Sequence, residues 1–308
     1  MNPMRLAVIG AGGIGGYFGA RLAQAGEDVS FIARGEHLRA IKARGLRVRS
    51  PSGDFTVNVP ATDDPRTIAP VDVVLFCVKS YDTESAAEAI RPLVAPDTDV
   101  LSLQNGVDNE EKLGRIVGPG HVLGGAAYIF SFIGEPGLIE HTSGGRIVFG
   151  EMNQSRSERC HRLVTVLERA KINAQVSEDI HRTLWEKYCF ICAGAGLTSL
   201  TRLPMGAIRA CPETWELYGQ VVEEAITVGR ASGVALPPDL LDRTLAMAQR
   251  VDPGAYSSMH YDLTHGKRLE LEALHGHVVR LGRRFGFPTP ACFAILAALR
   301  PYMNGPPA

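Results

Sequence analysis

The sequence lacks a charge excess, a membrane-length apolar run and a cysteine framework, and each lack excludes a class of protein. Formal net charge is −1 over 308 residues, so no field favours nucleic acid. The local basic run Arg280, Arg283 and Arg284 reads as a solvated helix face. No apolar stretch approaches the ~20 residues needed to cross a bilayer. Met1 to Gly10 leads directly into a strand, without the charged segment, separate apolar stretch and cleavage site of a secretory leader. A cytoplasmic protein with a small-molecule partner is expected. The six cysteines, Cys77, Cys160, Cys189, Cys192, Cys211 and Cys292, make no disulfide framework in a chain of this size. Cys189 and Cys192 form one CxxC with no second pair at zinc-ribbon spacing. They lie in the apolar run Trp185 to Leu200 and read as small buried hydrophobes. His260, His265, His275 and His277 supply ligand types, but the spacing of a metal-binding helix is absent and no metal is expected. There is no internal repeat and no low-complexity tract.

What is present is ordinary globular composition, 45% apolar and 21% charged, in a length that suggests two domains. The first part alternates. Arg5–Gly10 reads as a buried parallel strand. Gly15–Ala25 reads as a helix with Phe18, Leu22 and Ala25 on one face, and Val29–Ala33 as a second strand. Strands at Val71–Val78 and Asp99–Leu103 and helices at Glu84–Leu93 and Asn109–Val117 continue the pattern. From His121 to Gly150 three β segments follow, VLGGAAYIF, GLIEHT and RIVFG, separated by glycine and proline turns. A helix at Glu158–Ala170 and a strand at Ile172–Val176 close this part. Beyond it the pattern becomes helical: Leu184–Thr198, Glu213–Ser232, Pro238–Arg250, Lys267–Phe285 and Pro290–Met303. The expected architecture is an α/β Rossmann-like dinucleotide-binding domain over 1–178, followed by an all-α domain over 179–308 that serves substrate and dimerisation.

Gly10-Ala11-Gly12-Gly13-Ile14-Gly15 fits G-x-G-x-x-G, a weak pattern alone, but here it follows a strand and opens a helix. Gly10 permits the tight turn. Gly12 lets the backbone approach a pyrophosphate, and Gly15 lets helix pack on strand. The phosphates then meet unpaired N–H groups and the positive helix end. At the end of the second strand an acid would bind a ribose 2′-hydroxyl. This chain has Arg34 instead, a cation suited to a 2′-phosphate, so NADP(H) is expected over NAD. The plainer alternative for Arg34 is a solvated loop charge.

Read on through Gly16-Tyr17-Phe18-Gly19-Ala20-Arg21-Leu22, the loop resembles that of the ketopantoate reductase family. The resemblance recurs, in order, at four later places: Cys77-Val78-Lys79-Ser80-Tyr81-Asp82-Thr83; Leu103-Gln104-Asn105-Gly106-Val107; Trp185-Glu186-Lys187 with Leu197-Thr198; and Ser257-Ser258-Met259 with Asp262 and Glu270. It implies an oxidoreductase that passes hydride from C4 of NADPH to a 2-keto acid, giving a 2-hydroxy acid. For the activity in the family's name the product is pantoate, on the way to coenzyme A. It also implies a homodimer.

The resemblance makes Lys187 the general acid, polarising the carbonyl and protonating the alkoxide; on residues alone it reads as an exposed lysine at a helix edge. It places Glu270 beside lysine and cofactor, where a carboxylate orients Lys187. The alternative is a surface carboxylate between Arg268 and Glu272. Asn105 is implied to meet cofactor and substrate, its alternative being a turn residue before Gly106. Lys79, at the carboxyl end of a strand, is implied to lie near the adenosine phosphate, and Ser258 to bind the substrate.

Three positions depart from the family pattern. Where pantoate-forming members carry asparagines four and eight residues after the lysine, this chain has Ile191 and Ala195. Ala255 stands where a third is common. Each lost polar contact costs ~1–3 kcal/mol of binding to a polar substrate. Ile191 and Ala195 would instead line a site for a less polar or bulkier keto substrate. Two alternatives stand beside this reading. One is a ketopantoate reductase that uses Thr198 and Ser199 in place of the asparagines. The other is an NADP-binding sensor without catalysis.

Overall fold

Strand β1 (Arg5–Ile9) carries the logic of the first half. Leu6 and Val8 belong to one buried cluster and Ala7 and Ile9 to another, so the strand is covered on both faces. The computed structural model describes residues 3–307; Met1, Asn2 and Ala308 of the expected domains lie outside the described residues. The chain divides into two compact units, one of residues up to Gln104 with Asp108–Ile180, the other of Asn105–Val107 with the residues from His181 on.

In the first unit the order after β1 is α1 (Gly13–Gln24), β2 (Asp28–Ile32), α2 (Gly35–Arg44), β3 (Leu46–Arg49), β4 (Phe55–Val57), β5 (Ala61–Thr62), β6 (Val73–Phe76), α3 (Thr83–Ile90), β7 (Asp99–Ser102), α4 (Asn109–Val117), β8 (Val122–Glu135), β9 (Leu138–Glu151), α5 (Glu158–Arg169) and β10 (Asn173–Val176). They form one sheet ordered β4-β3-β9-β8-β7-β6-β1-β2-β5, with β10 also paired to β9. β7, β6, β1, β2 and β5 run parallel. Phe18 and Leu22 of α1 and Leu163, Val166 and Leu167 of α5 cover one face. Ala86, Ala87 and Ile90 of α3 and Leu113 of α4 cover the other. The result is the Rossmann-like arrangement expected, with the strands' carboxyl ends on one edge.

Two features differ from the sequence pattern. The segments GLIEHT and RIVFG are one strand, β9, paired antiparallel with β8 almost throughout. The glycines that look like a turn absorb irregularity within the strand instead: Gly144 and Gly145 have φ of +82° and +116°, beside a register shift at Tyr128/Ile129. The stretch between Gly35 and Val71, which the pattern leaves blank, holds α2 and three short strands. Their apolar signal is thin: α2 buries only Leu38, Ala40 and Ile41, and β4 buries only Val57.

The second unit contains α6 (Ile180–Thr201, its first residue in the first unit), α7 (Met205–Ala210), α8 (Pro212–Ala231), α9 (Leu240–Gln249), α10 (Ser258–Thr264), α11 (His277–Phe285) and α12 (Pro290–Leu299). α6 is apolar on most of its circumference and is its central element. Tyr188, Cys189, Cys192, Ala193 and Leu197 pack in one core with Val221, Val222 and Ala225 of α8 and Cys292, Ile295 and Leu299 of α12. The thiols are filler: burial pushes Cys192 up to about 12 and raises Cys189 further. Glu224 of α8 caps α12, its carboxylate accepting from the amides of Ala291 and Cys292 at 2.8 Å each.

The helix expected over Lys267–Phe285 is broken. Residues 267–270 are neither helix nor strand, Glu272–Gly276 form a π turn, and only His277–Phe285 is α-helical. Two bonds outweigh the helical pattern: the Leu269 amide donates to the Met303 carbonyl at 2.9 Å, and the Tyr188 hydroxyl donates to the Leu274 carbonyl at 2.5 Å. His275 of the π turn is fully buried, and burial pushes it down to about 4. It is therefore neutral and donates from Nε2 to the Cys192 carbonyl, at 3.0 Å.

Candidate functional site

In the first unit the site begins where β1 ends. Gly10 has φ of +89°, and a Cβ there would lie 2.7 Å from the backbone of Cys77. At Gly15 it would lie 2.3 Å from the Gly10 carbonyl and 2.9 Å from Val8. At Gly13 it would meet the Ser131 carbonyl of β8 at 2.1 Å. These three glycines are demanded by the fold. Gly12 is not: a Cβ there meets nothing within 4 Å. It is the N-cap of α1, with no side chain capping the helix and no acid in the first turn. The first amides of α1 therefore have no intrahelical acceptor, and the space beside Gly12 is clear among the described residues. The residues between the glycines hold the loop down: Ala11 is buried and Ile14 packs on the core. The loop fits a pyrophosphate, since the unsatisfied donors and the cleared backbone coincide.

Arg34 lies two residues past β2 and is the N-cap residue of α2, exposed and extended at φ −133° and ψ 161°. The next carboxylate along the chain, Glu36, is bonded to Arg39, which holds its carboxyl below the ordinary value. Arg34 thus stands at the carboxyl edge of the sheet, and the acid that follows it is paired with Arg39.

Lys79 follows β6 and opens a 3-10 turn, Ser80–Asp82. A polar relay fixes this turn to the loop after β7. Gln104 donates through Nε2 to the Val78 carbonyl at 3.0 Å and to Thr83 Oγ1 at 2.8 Å. Thr83 Oγ1 in turn lies 2.9 Å from the Ser80 carbonyl and 3.1 Å from Asn109 Oδ1. Sequence reading assigns no role to Gln104 or Thr83. Both lie inside motifs quoted for other residues, and only their burial, 3% and 1% exposed, marks them as braces.

In the second unit Lys187 is on α6 and only 8% exposed, so the exposed-lysine alternative does not hold. Its Nζ donates to Asn105 Oδ1 at 3.0 Å. An ammonium only donates, so this contact fixes the amide: its carbonyl oxygen faces the lysine and its NH2 points elsewhere. Glu270 is 6% exposed, which removes the surface-carboxylate alternative. It ends the irregular segment, and its carbonyl accepts from the Leu274 amide at 3.1 Å as the π turn begins. Interrupted helices of this kind recur at functional sites.

Ser258 is the first residue of α10 and exposed. Its neighbour Ser257 is the N-cap, accepting from the His260 amide at 3.0 Å and lying 2.7 Å from Thr198 Oγ1. Ser257 is thereby tied to Thr198, eleven residues along α6 from Lys187, and Ser258 is the next residue along α10. Ile191 is half-buried and Ala195 buried on the same side of α6 as the lysine.

Residues 6–154 match the family described as Ketopantoate reductase PanE/ApbA, and residues 179–303 match its C-terminal counterpart, Ketopantoate reductase PanE/ApbA C terminal. The chain belongs to the ketopantoate reductase family. Relatives cover nearly its full length. An uncharacterised oxidoreductase, YkpB, of Bacillus subtilis is 31% identical over 97% of this chain and 99% of its own. A 2-dehydropantoate 2-reductase of Mesorhizobium japonicum is 33% identical over 96% and 97%. The crystal structure of a PanE/ApbA family ketopantoate reductase from Ralstonia eutropha JMP134 superposes with a TM-score of 0.91 at 36% identity, covering 97% of this chain and 98% of that one. The ketopantoate reductase fold, Rossmann-like strands followed by a helical region, is thus the fold of this chain.

Proposed function

We propose that this chain is a nicotinamide-dependent oxidoreductase that reduces the keto group of a 2-keto acid to a 2-hydroxy acid, with NADPH as donor and Lys187 as acid. The observation that carries the reading is the buried Lys187 bonded to Asn105, on a chain whose glycine loop clears space for a pyrophosphate. Membership of a family whose curated relatives include 2-dehydropantoate 2-reductases supports it. The bound nicotinamide supplies hydride from its C4.

The remaining steps belong to the chain. Unpaired amides of α1 hold the pyrophosphate beside Gly12, and Arg34 pairs with the 2′-phosphate. Lys79 takes a position near the adenosine phosphate. Lys187 donates a hydrogen bond to the substrate carbonyl, which draws charge onto oxygen and lowers the barrier to hydride attack. As the alkoxide forms, Nζ gives it a proton, and Asn105 holds the amine in place while it regains a proton from solvent for the next cycle. Glu270, a buried carboxylate, orients Lys187, and Ser258 binds substrate. The protein acts as a homodimer in the cytoplasm.

Cofactor choice is tested at Arg34. Arg34→Ala is expected to weaken NADPH binding by about 10–100-fold, the loss of one charge-assisted pair, and to change NADH binding by less than about threefold. Titration calorimetry with both cofactors reads this. Equal weakening of both, or tighter NADH binding by the unaltered protein, would refute the 2′-phosphate role. The reductase reading itself is tested by NADPH oxidation over a panel of 2-keto acids; binding without turnover of any of them would favour a sensor.

A further inference from the structure

Along α6, at 100° per residue, Thr198, Gly194, Ile191 and Ala195 all fall within about 80° of Lys187. One face of the helix therefore runs from the ammonium over two apolar side chains and bare backbone to a single hydroxyl. That hydroxyl is committed. Thr198 Oγ1 donates to the Gly194 carbonyl at 2.7 Å, so its 2.7 Å contact with Ser257 Oγ takes the serine's proton. Ser257 Oγ itself accepts from the His260 amide. Ser199 is 1% exposed and about a third of a turn away from the lysine's face. Neither hydroxyl is available to replace a polar contact to substrate.

The two glycines of α6 differ. Gly196 is required by packing, because a Cβ would lie 2.5 Å from His275 Nε2 and 2.9 Å from Ile295 Cδ1. At Gly194 a Cβ would meet nothing within 4 Å. A mid-helix glycine weakens a helix relative to alanine, and no steric contact among the described residues requires this one. The same situation holds at Gly12, where the clearance suits a ligand.

We propose that Gly194 is a specificity-determining residue that leaves room for the substrate's substituent. The substrate is a 2-keto acid whose group beyond the keto carbon is bulky and free of hydroxyls, branched-aliphatic or aryl. It lies on Ile191, Ala195 and the half-buried backbone of Gly194. This rests on reduction of a 2-keto acid at Lys187. Trimethylpyruvate and ketopantoate form the decisive pair, since they differ by one hydroxyl; phenylglyoxylate adds an aryl group and pyruvate a small one.

The measurement is kcat/KM with NADPH for the four acids. The unaltered enzyme should prefer trimethylpyruvate and phenylglyoxylate to ketopantoate by about tenfold or more, the scale on which pocket shape and polarity discriminate. Gly194→Leu should cut the ratio of kcat/KM for trimethylpyruvate over pyruvate by about 30-fold or more. Gly194→Ala should cut it less and raise Tm, and it carries the test if the leucine variant does not fold. Ketopantoate reduced as well as trimethylpyruvate, or an unmoved ratio in a folded variant, overturns the proposal. Turnover of no 2-keto acid overturns the reductase reading and this proposal with it. Turnover without the preference overturns this proposal alone.

Discussion

Lys187→Ala is expected to lower kcat by about 10³-fold, within the range that general acids and carbonyl-polarising donors contribute, while NADPH binding changes by less than about threefold. The ammonium is the group argued to meet the carbonyl oxygen, and it is held by Asn105 rather than by the glycine loop. Lys187→Arg tests the geometry further. It keeps the charge but replaces a compact donor by a planar fork with a far higher pKa, so it should recover little activity. Single-turnover kinetics at saturating NADPH separate chemistry from binding. A variant that turns over at the unaltered rate would remove Lys187 from the mechanism.

Gly12→Val should give the clearest separation of binding from folding. No atom lies within 4 Å of the position its Cβ would take, so Tm should fall by no more than a few degrees, on the scale of a modest surface substitution. The valine would nevertheless occupy the space where a pyrophosphate approaches the α1 amides, and NADPH affinity should fall by about 100-fold or more, the loss of several charge-assisted hydrogen bonds. Gly15→Val is the contrast. There the Gly10 carbonyl, Val8 and Cys77 are already in the way, and the expected result is an unfolded or strongly destabilised protein. Equal cofactor affinity in Gly12→Val and the unaltered protein would show that the loop is only structural.

The elements that flank the glycine loop are legible because their signals are local. β1, α1, β2 and α4 combine an apolar run or stripe with a glycine, acidic or basic boundary, and the helix expected at Asn109–Val117 is observed at those residues. The region between Gly35 and Val71 is illegible for the opposite reason. Its strands hold two to four residues each and depend on partners far along the chain, such as β9 for β3. The break at Lys267–Glu270 is equally non-local: helical spacing is present, but a bond to Met303 overrides it.

The candidate site divides in the same way. The glycine loop and Arg34 can be read from adjacent residues. The Lys187–Asn105 contact joins positions 82 apart in sequence, and no periodicity reports it; only the family resemblance links the two residues. The relay through Gln104 and Thr83 and the open backbone at Gly194 required coordinates, because each is defined by what surrounds a side chain or by what does not.

The central claim is hydride transfer from a nicotinamide to a keto carbon, and isotopic labelling tests it most directly. The enzyme is incubated with trimethylpyruvate and NADPH carrying deuterium at C4 on either face, and the product is examined by NMR. The account predicts a 2-hydroxy acid with one deuterium at C2 from one labelled face and none from the other, in amounts equal to the NADPH consumed. A hydroxy acid without deuterium from either face, or NADPH bound and left unoxidised with every 2-keto acid offered, would contradict it.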